Sequence, residues 1–248
     1  MSDNISVSIE NRVLTLRMER PEKKNALTRA MYVAMMDGLG QAAADAAVRV
    51  LVITGSQECF TAGNDIGDFA SAKPGDPPVA LHYLEALAAF EKPVIAAVGG
   101  VAVGIGTTML LHCDLVYAAR SARFQLPFVN LGLCPEAGSS YILPSLMGQR
   151  RAAELLFFGE PFGAEQARDL GIVNEIVGEG ELMARAAERA QQLTEKPPTA
   201  LRTAKSLMKQ GAAESIQAAM ARETKQFAAL LQGPEAREAM MAFMQKKR

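Results

Sequence analysis

Apolar and polar positions alternate from residue 5 to residue 18 (Ile5, Val7, Ile9, then Val13, Leu14, Leu16, Met18) around the turn-forming pair Asn11-Arg12. This pattern predicts a β-hairpin. Thr28 then stands as the N-cap of an amphipathic helix reaching to about residue 46. The stretch VRVLVITG that follows is almost wholly apolar, as a strand covered on both faces is. The order recurs: a helix over 79–90, the strand PVIAAV, a glycine-rich bend, a helix through Met109 and Leu110, and the strand DLVYAA. Repeated strand-helix units predict a mostly parallel sheet in an α/β fold. Beyond about Gly138 the pattern turns helical. SSYILPSLMG, RAAELLFFG and AEQARDLG read as helices, IVNEIV as one short extended piece, and everything after about Gly180 as helix. KPGDPP, residues 73–78, is a loop of turn formers that serves equally as a mobile lid or a plain connector.

A chain of 248 residues exceeds the usual single-domain size of roughly 100–150, so one large domain or a domain with an appended subdomain is expected. Hydrophobic residues make up 49% and charged residues 21%, and no apolar run nears the roughly 18 residues of a membrane span, which implies a soluble globular protein. The net charge of −1, with both signs interspersed, supplies no broad field for nucleic acid or an anionic membrane. Neither is expected as a partner, and an anionic ligand must be held locally. Cys59, Cys113 and Cys134 are odd in number and lack a Cys-x-x-Cys spacing. They argue against a disulfide framework or a cysteine-built metal site, and for a reducing, cytoplasmic compartment. The opening MSDNISVSIE lacks the basic-then-apolar pattern of a secretory signal.

Two segments share a design in which an apolar strand empties into small residues before a helix: VLVITG with CFTAGNDI, and PVIAAV with GGVAVGIGTT. Helix N-termini leave backbone N–H groups unpaired, and small residues let a ligand approach them, so both segments are candidates for donating to a developing oxyanion. The plainer reading is that the glycines only make tight turns. A dinucleotide-binding fingerprint fails on spacing. Gly104 and Gly106 fill its first two positions, but Met109 stands at the third, and no acidic residue ends a strand about 20 residues later.

Together the motifs RPEKKNAL at 20–27, FTAGNDI at 60–66, KPVIAAVGGVAVGIGTT at 92–108, and CDLVYAARSARFQLPFVNLGLCPEAGSSYILPSLMG from Cys113 resemble the crotonase (enoyl-CoA hydratase/isomerase) superfamily in order and spacing over essentially the whole chain. The resemblance implies a spiral of β-β-α turns over 1–195 that carries an acyl-CoA site, followed by a helical C-terminal region over 196–248 used in trimer formation. A homotrimer or a dimer of trimers would follow. It also implies that the oxyanion donors are the backbone N–H groups of Asn64 and Ile105. The adenine and pantetheine would lie along Lys24, Ala26, Ala62, Gly63, Asp65 and Ile66, although Lys24, beside Lys23, is equally a solvated loop side chain. Coenzyme A is then part of the substrate, an acyl-CoA thioester, and no separate cofactor or metal is implied.

Hydratases that this chain resembles carry two glutamates, at positions that here read Thr108 and Phe128. Neither residue can serve as a general acid or base toward water. The remaining carboxylate, Glu136 in LCPEAG, resembles the single glutamate of the peroxisomal-type Δ3,Δ2-enoyl-CoA isomerases. One base suffices to take a proton from carbon 2 and return it at carbon 4. Alternatively, Glu136 is a first-turn carboxylate that only favours a helix dipole. Apolar Leu133, Phe128 and Ile142 are expected to raise its pKa. His82 and His112 read as structural. Asp68 and Glu85 are auxiliary carboxylates or plain surface residues, and Ser139 and Ser140 lack a partnered histidine. The resemblance implies that Phe243 would close a neighbouring subunit's site, and 246–248 reads as a solvated basic tail. The rival readings are a hydratase or another acyl-CoA lyase or hydrolase on the same scaffold, and a non-catalytic acyl-CoA-binding protein. An RNA-binding role has no basic patch to support it.

Overall fold

The computed structural model describes residues 4–70 and 78–246. Its first turn is the predicted one. Asn11 and Arg12 both have positive φ (49° and 68°), the geometry of a two-residue type I′ hairpin, and join β1 (Ile5–Glu10) to β2 (Val13–Met18). A 3-10 turn at Pro21–Lys23 leads to α1 (Arg29–Ala44), whose N-cap is Thr28, its side chain accepting the Met31 N–H. Two strands follow, β3 (Val50–Thr54) and β4 (Cys59–Thr61), and then α2 (Ile66–Ala70) and α3 (Val79–Ala89). The next turn is β5 (Val94–Val98), β6 (Val101–Val103) and α4 (Ile105–Thr108), which runs into a 3-10 turn at Met109–His112. After β7 (Leu115–Ala119) and β8 (Arg123–Gln125) come α5 (Ser139–Met147), α6 (Gln149–Phe158), β9 (Phe162–Gly163), α7 (Ala164–Asp169) and β10 (Glu175–Val177). Helices α8 (Leu182–Thr194), α9 (Pro198–Gln210), α10 (Ala213–Leu231) and α11 (Pro234–Lys246) complete the chain.

The strands form two sheets. One has the order β1-β2-β3-β5-β7-β10, antiparallel in the hairpin and parallel from β2 onward. The other has the order β4-β6-β8-β9, parallel up to β8. From β3 to β8 each turn of the chain therefore gives one strand to each sheet, which is the β-β-α spiral that the family resemblance implies. Reading the residues alone yields one sheet, because β4, β6 and β8 are three residues long, too short for an alternation to register. They lie inside what reads as glycine-rich bend. The two-residue β9 is likewise absent from the sequence pattern.

The corner between β5 and β6 shows why small residues are needed there. Gly100 has φ 59°, and a Cβ on it would overlap the Glu58 carbonyl oxygen of the turn below. The larger sheet is buried on both faces, as the apolar run of β3 predicts. Leu51, Ile53, Ala96, Val98 and Val116 face the main core, while Val52, Ile95, Ala97 and Tyr117 pack with Leu182, Ala186 and Ala190 of α8. Each buried Val, Leu or Ile among them contributes about 1.5–3 kcal/mol, so the spiral is a well-packed frame for whatever projects from its turns.

Candidate active site

The first motif is built around a residue that the sequence reading passes over. Asn25 is 1% exposed, and its amide nitrogen donates to the carbonyls of Cys59 (2.8 Å) and Phe60 (3.1 Å) while its oxygen accepts the Arg20 N–H at 2.7 Å. Thr61 Oγ1 donates to the Asn25 carbonyl at 2.6 Å. Arg20 adds a 2.7 Å ion pair with Asp65 and a 2.8 Å bond to the Ala26 carbonyl. Burial acts to raise the Asp65 carboxyl, but the Arg20 hydrogen bond and charge, with backbone donors at Asp68 and Gly67, hold it below its ordinary value. The RPEKKNAL loop and the FTAGNDI loop are thus laced into one unit. An asparagine in a turn-forming segment, able to bond the backbone around it, was the available signal.

This unit leans directly on the second glycine turn. A Cβ on Gly63, whose φ is 88°, would stand 2.7 Å from the Val103 carbonyl oxygen, and a Cβ on Gly106 would stand 2.6 Å from Thr61 Cγ2. The glycines are therefore where the two loops touch. Within the first loop the Ala62 N–H donates to the Lys24 carbonyl (2.9 Å), the Gly63 N–H to Thr61 Oγ1 (3.1 Å) and the Asp65 N–H to the Leu27 carbonyl (2.9 Å). Among the described residues, the N–H groups of Asn64 and of Ile105, the first residue of α4, donate to no protein acceptor. Such free, preset donors are what an anionic oxygen requires.

The carboxylate side is assembled differently. Glu136 precedes α5, whose N-cap is Gly138, so it does not occupy the helix's first turn. The helix-dipole role belongs instead to Glu223 of α10, whose oxygens accept the N–H groups of Gly138 (2.6 Å) and Ser140 (2.8 Å). Glu136 Oε1 accepts a hydrogen bond from Thr108 Oγ1, and its backbone carbonyl accepts the Ser139 hydroxyl at 2.6 Å. Its carboxyl is raised to about 7, pushed up mainly by burial and also by the Glu223 charge, and drawn down by the Thr108 hydrogen bond. Phe128 and Leu133 lie in the surrounding core, 5% and 6% exposed. The charge of Glu223 is a contribution that those apolar neighbours do not foretell. Ala137 takes the left-handed conformation (φ 63°), and its carbonyl is held 2.8 Å from His112 Nε2. His112 is buried, which pushes it down to about 4 and keeps it neutral.

Tyr32 joins the two sides. Its hydroxyl donates to Asn64 Oδ1 at 2.6 Å, and its pKa is raised first by burial and then by the charge of Glu136. Thr108 closes the other link, since it ends the short helix that Ile105 begins. Asn64, Ile105 and Glu136 are thus brought together. Ala62 and Ile66 flank Asn64 and are partly buried, whereas Lys24 is exposed and Ala26 is partly buried beneath Arg20. Asp68 accepts the Arg29 N–H at the start of α1 (2.7 Å), its own N–H donates to Asp65, and its charge adds to the upward shift of Tyr32, whereas Glu85 and His82 are exposed on α3. Of the 73–78 loop, residues 73–77 lie outside the described residues, as do 247–248 and the side chain of Phe243. Among the described residues, no group of three or more His, Cys, Asp or Glu side chains is placed to hold a metal, and no helix is long and apolar enough to cross a membrane.

The family described as enoyl-CoA hydratase/isomerase matches residues 8–248 of the chain. A 2,3-dehydroadipyl-CoA hydratase of Escherichia coli (strain K12) is 35% identical over 245 residues, which cover 97% of this chain and 95% of that protein. An enoyl-CoA delta isomerase 2 of Rattus norvegicus is 34% identical over 253 residues, and the match spans 99% of this chain but 64% of that protein's length. The solved structure of Pseudomonas aeruginosa OdaA superposes with a TM-score of 0.94 at 49% identity, covering 98% of this chain and 99% of its own.

Proposed function

Because the chain belongs to the enoyl-CoA hydratase/isomerase family of acyl-CoA enzymes, we propose that it is a Δ3,Δ2-enoyl-CoA isomerase that moves a double bond with Glu136 as its single base. The observation that carries this reading is the pairing of Glu136 with Thr108, the position where a second carboxylate would be needed to activate water. Phe128, buried in the core, cannot supply one either. With Oε1 tied to Thr108, the other carboxylate oxygen, which accepts no hydrogen bond among the described residues, would take the proton from carbon 2 and return it at carbon 4. The thioester oxygen of the dienolate between those steps receives the N–H groups of Asn64 and Ile105, each worth about 3–4 kcal/mol in such a role. A carboxyl raised to about 7 is matched to proton transfer near neutral pH.

Coenzyme A enters this reaction only as part of the substrate. We assign its adenine and pantetheine to the strip formed by Lys24, Ala26, Ala62, Gly63, Asp65 and Ile66. Asp65 would contribute backbone atoms there, since its carboxylate is bound to Arg20. A homotrimer or dimer of trimers would cover the apolar side chains left exposed on α6 and α9, among them Phe157 (67%), Phe158 (64%) and Met208 (84%). The likeness to a dehydroadipyl-CoA hydratase supports the second reading, addition of water to a 2-enoyl-CoA. Incubating the purified protein separately with 3-enoyl-CoA and 2-enoyl-CoA, and following mass and absorbance, distinguishes the two. Migration of the double bond without gain of water is expected, and efficient hydration of the 2-enoyl thioester would sink the isomerase reading.

A further inference from the structure

Helix α10 presents an apolar face at helical spacing, with Ile216, Ala219, Met220 and Phe227 packed into the core, and Glu223 lies in the middle of that face. The residue is 6% exposed, and both of its oxygens are used on the N–H groups that begin α5, at 2.6 and 2.8 Å. Those donors belong to Gly138 and Ser140, directly after the Glu136-Ala137 step. Ala137 and Gly138 have φ of 63° and 72°, and an alanine resists the left-handed region unless its surroundings impose it. His112 fixes the Ala137 carbonyl from the other side of the turn, and Cys134 Sγ donates to the Glu223 backbone carbonyl at 3.7 Å. The turn that carries Glu136 is thus clamped from a helix more than 80 residues downstream.

We propose that Glu223 is the positioning residue for Glu136: by holding the Gly138 and Ser140 N–H groups it fixes the strained turn on which the base sits, and it makes the seating of α10 a condition of activity. The inference rests on reading Glu136 as the base, but its test does not require turnover. The groups that act on the Glu136 charge are Thr108 from α4, Tyr32 from α1, Cys134 from its own loop and Glu223 from α10. Of these, only Glu223 both carries a negative charge and holds the turn.

The experiment is an infrared titration of the Glu136 carboxyl in the folded protein, assigned by its loss in Glu136→Gln. In Glu223→Gln one N–H faces an amide NH2 and the charge is gone, so the Glu136 midpoint is expected to fall by about half a pH unit or more. The kcat for 3-enoyl-CoA should drop about tenfold with KM within about threefold, the split expected when positioning and not substrate binding is lost. Glu223→Asp keeps the charge and is expected to restore most of the midpoint. A folded Glu223→Gln protein whose midpoint moves by less than about 0.2 unit overturns the proposal. If neither variant folds, amide exchange in the wild-type protein decides. Slow exchange at Gly138 and Ser140 supports the clamp, and exchange as fast as in an exposed loop overturns it. A shifted midpoint in a protein that turns over no 3-enoyl-CoA would retain the clamp and reject the isomerase.

Discussion

The two sides of the site are held by opposite means. The Asn64–Ile105 side is made of backbone: two glycine turns of the spiral press together at Gly63 against Val103 and Gly106 against Thr61, and the donors are whatever N–H groups the sheet and helix leave over. The Glu136 side is made of side chains, with Thr108, His112 and Ser139 each supplying one tie to a short left-handed turn and Glu223 supplying two. A backbone site tolerates exchange of its side chains, so in the proposed isomerase Ile105 would serve as well as a smaller residue. A side-chain site can be retuned by a single substitution, and it is here that members of one family are free to differ in chemistry.

That contrast can be broken most severely at the base itself. Glu136→Gln removes the proton acceptor while keeping size and one acceptor oxygen, and isomerisation is expected to fall about 10³-fold in kcat with little change in KM. Next comes the backbone side. Gly63→Ala places a Cβ against the Val103 carbonyl at a φ of 88°, so the loops must part, with kcat lowered about 10²-fold. A smaller and opposite effect concerns stability. The folded-state pKa of Glu136, about 7, lies above its ordinary 4.5, so the folded chain binds the extra proton and stability declines as pH rises through that window. Chemical denaturation should therefore find Glu136→Gln more stable than the wild type above pH 7 by roughly 2–3 kcal/mol, the difference vanishing below about pH 4.5. The least effect is expected for Thr108→Val. Loss of the hydroxyl removes the one contact that lowers the Glu136 pKa, so the acid limb of the rate profile moves up, costing about three- to tenfold in rate near pH 6 and little at pH 9.

The same contrast explains what could be read from the chain. The hairpin at Asn11-Arg12, the doubly buried β3 and the Thr28 cap follow from local pattern, and strands ending in small residues mark the two donor turns, within which only the family resemblance singles out Asn64 and Ile105. The second sheet was hidden because its strands are only two or three residues long, and it emerged only through resemblance to the family. Glu136 was visible as a carboxylate in a motif that resembles the isomerases, but its supports were not. His112 reads as a packed helix end, and Glu223 is contributed from 85 residues beyond Gly138. A signal for Glu223 was present, since a carboxylate on the apolar stripe of α10 needs buried donors. Finding those donors required the fold.

Isomerisation through Glu136 alone requires one ionising base and no acid partner. The direct measurement is the pH dependence of kcat/KM for 3-enoyl-CoA with the wild-type enzyme. A single ascending limb with its midpoint near 7, absent from the residual activity of Glu136→Gln, is predicted. A bell-shaped profile with a second, descending limb, or a profile without inflection near neutrality, would contradict it.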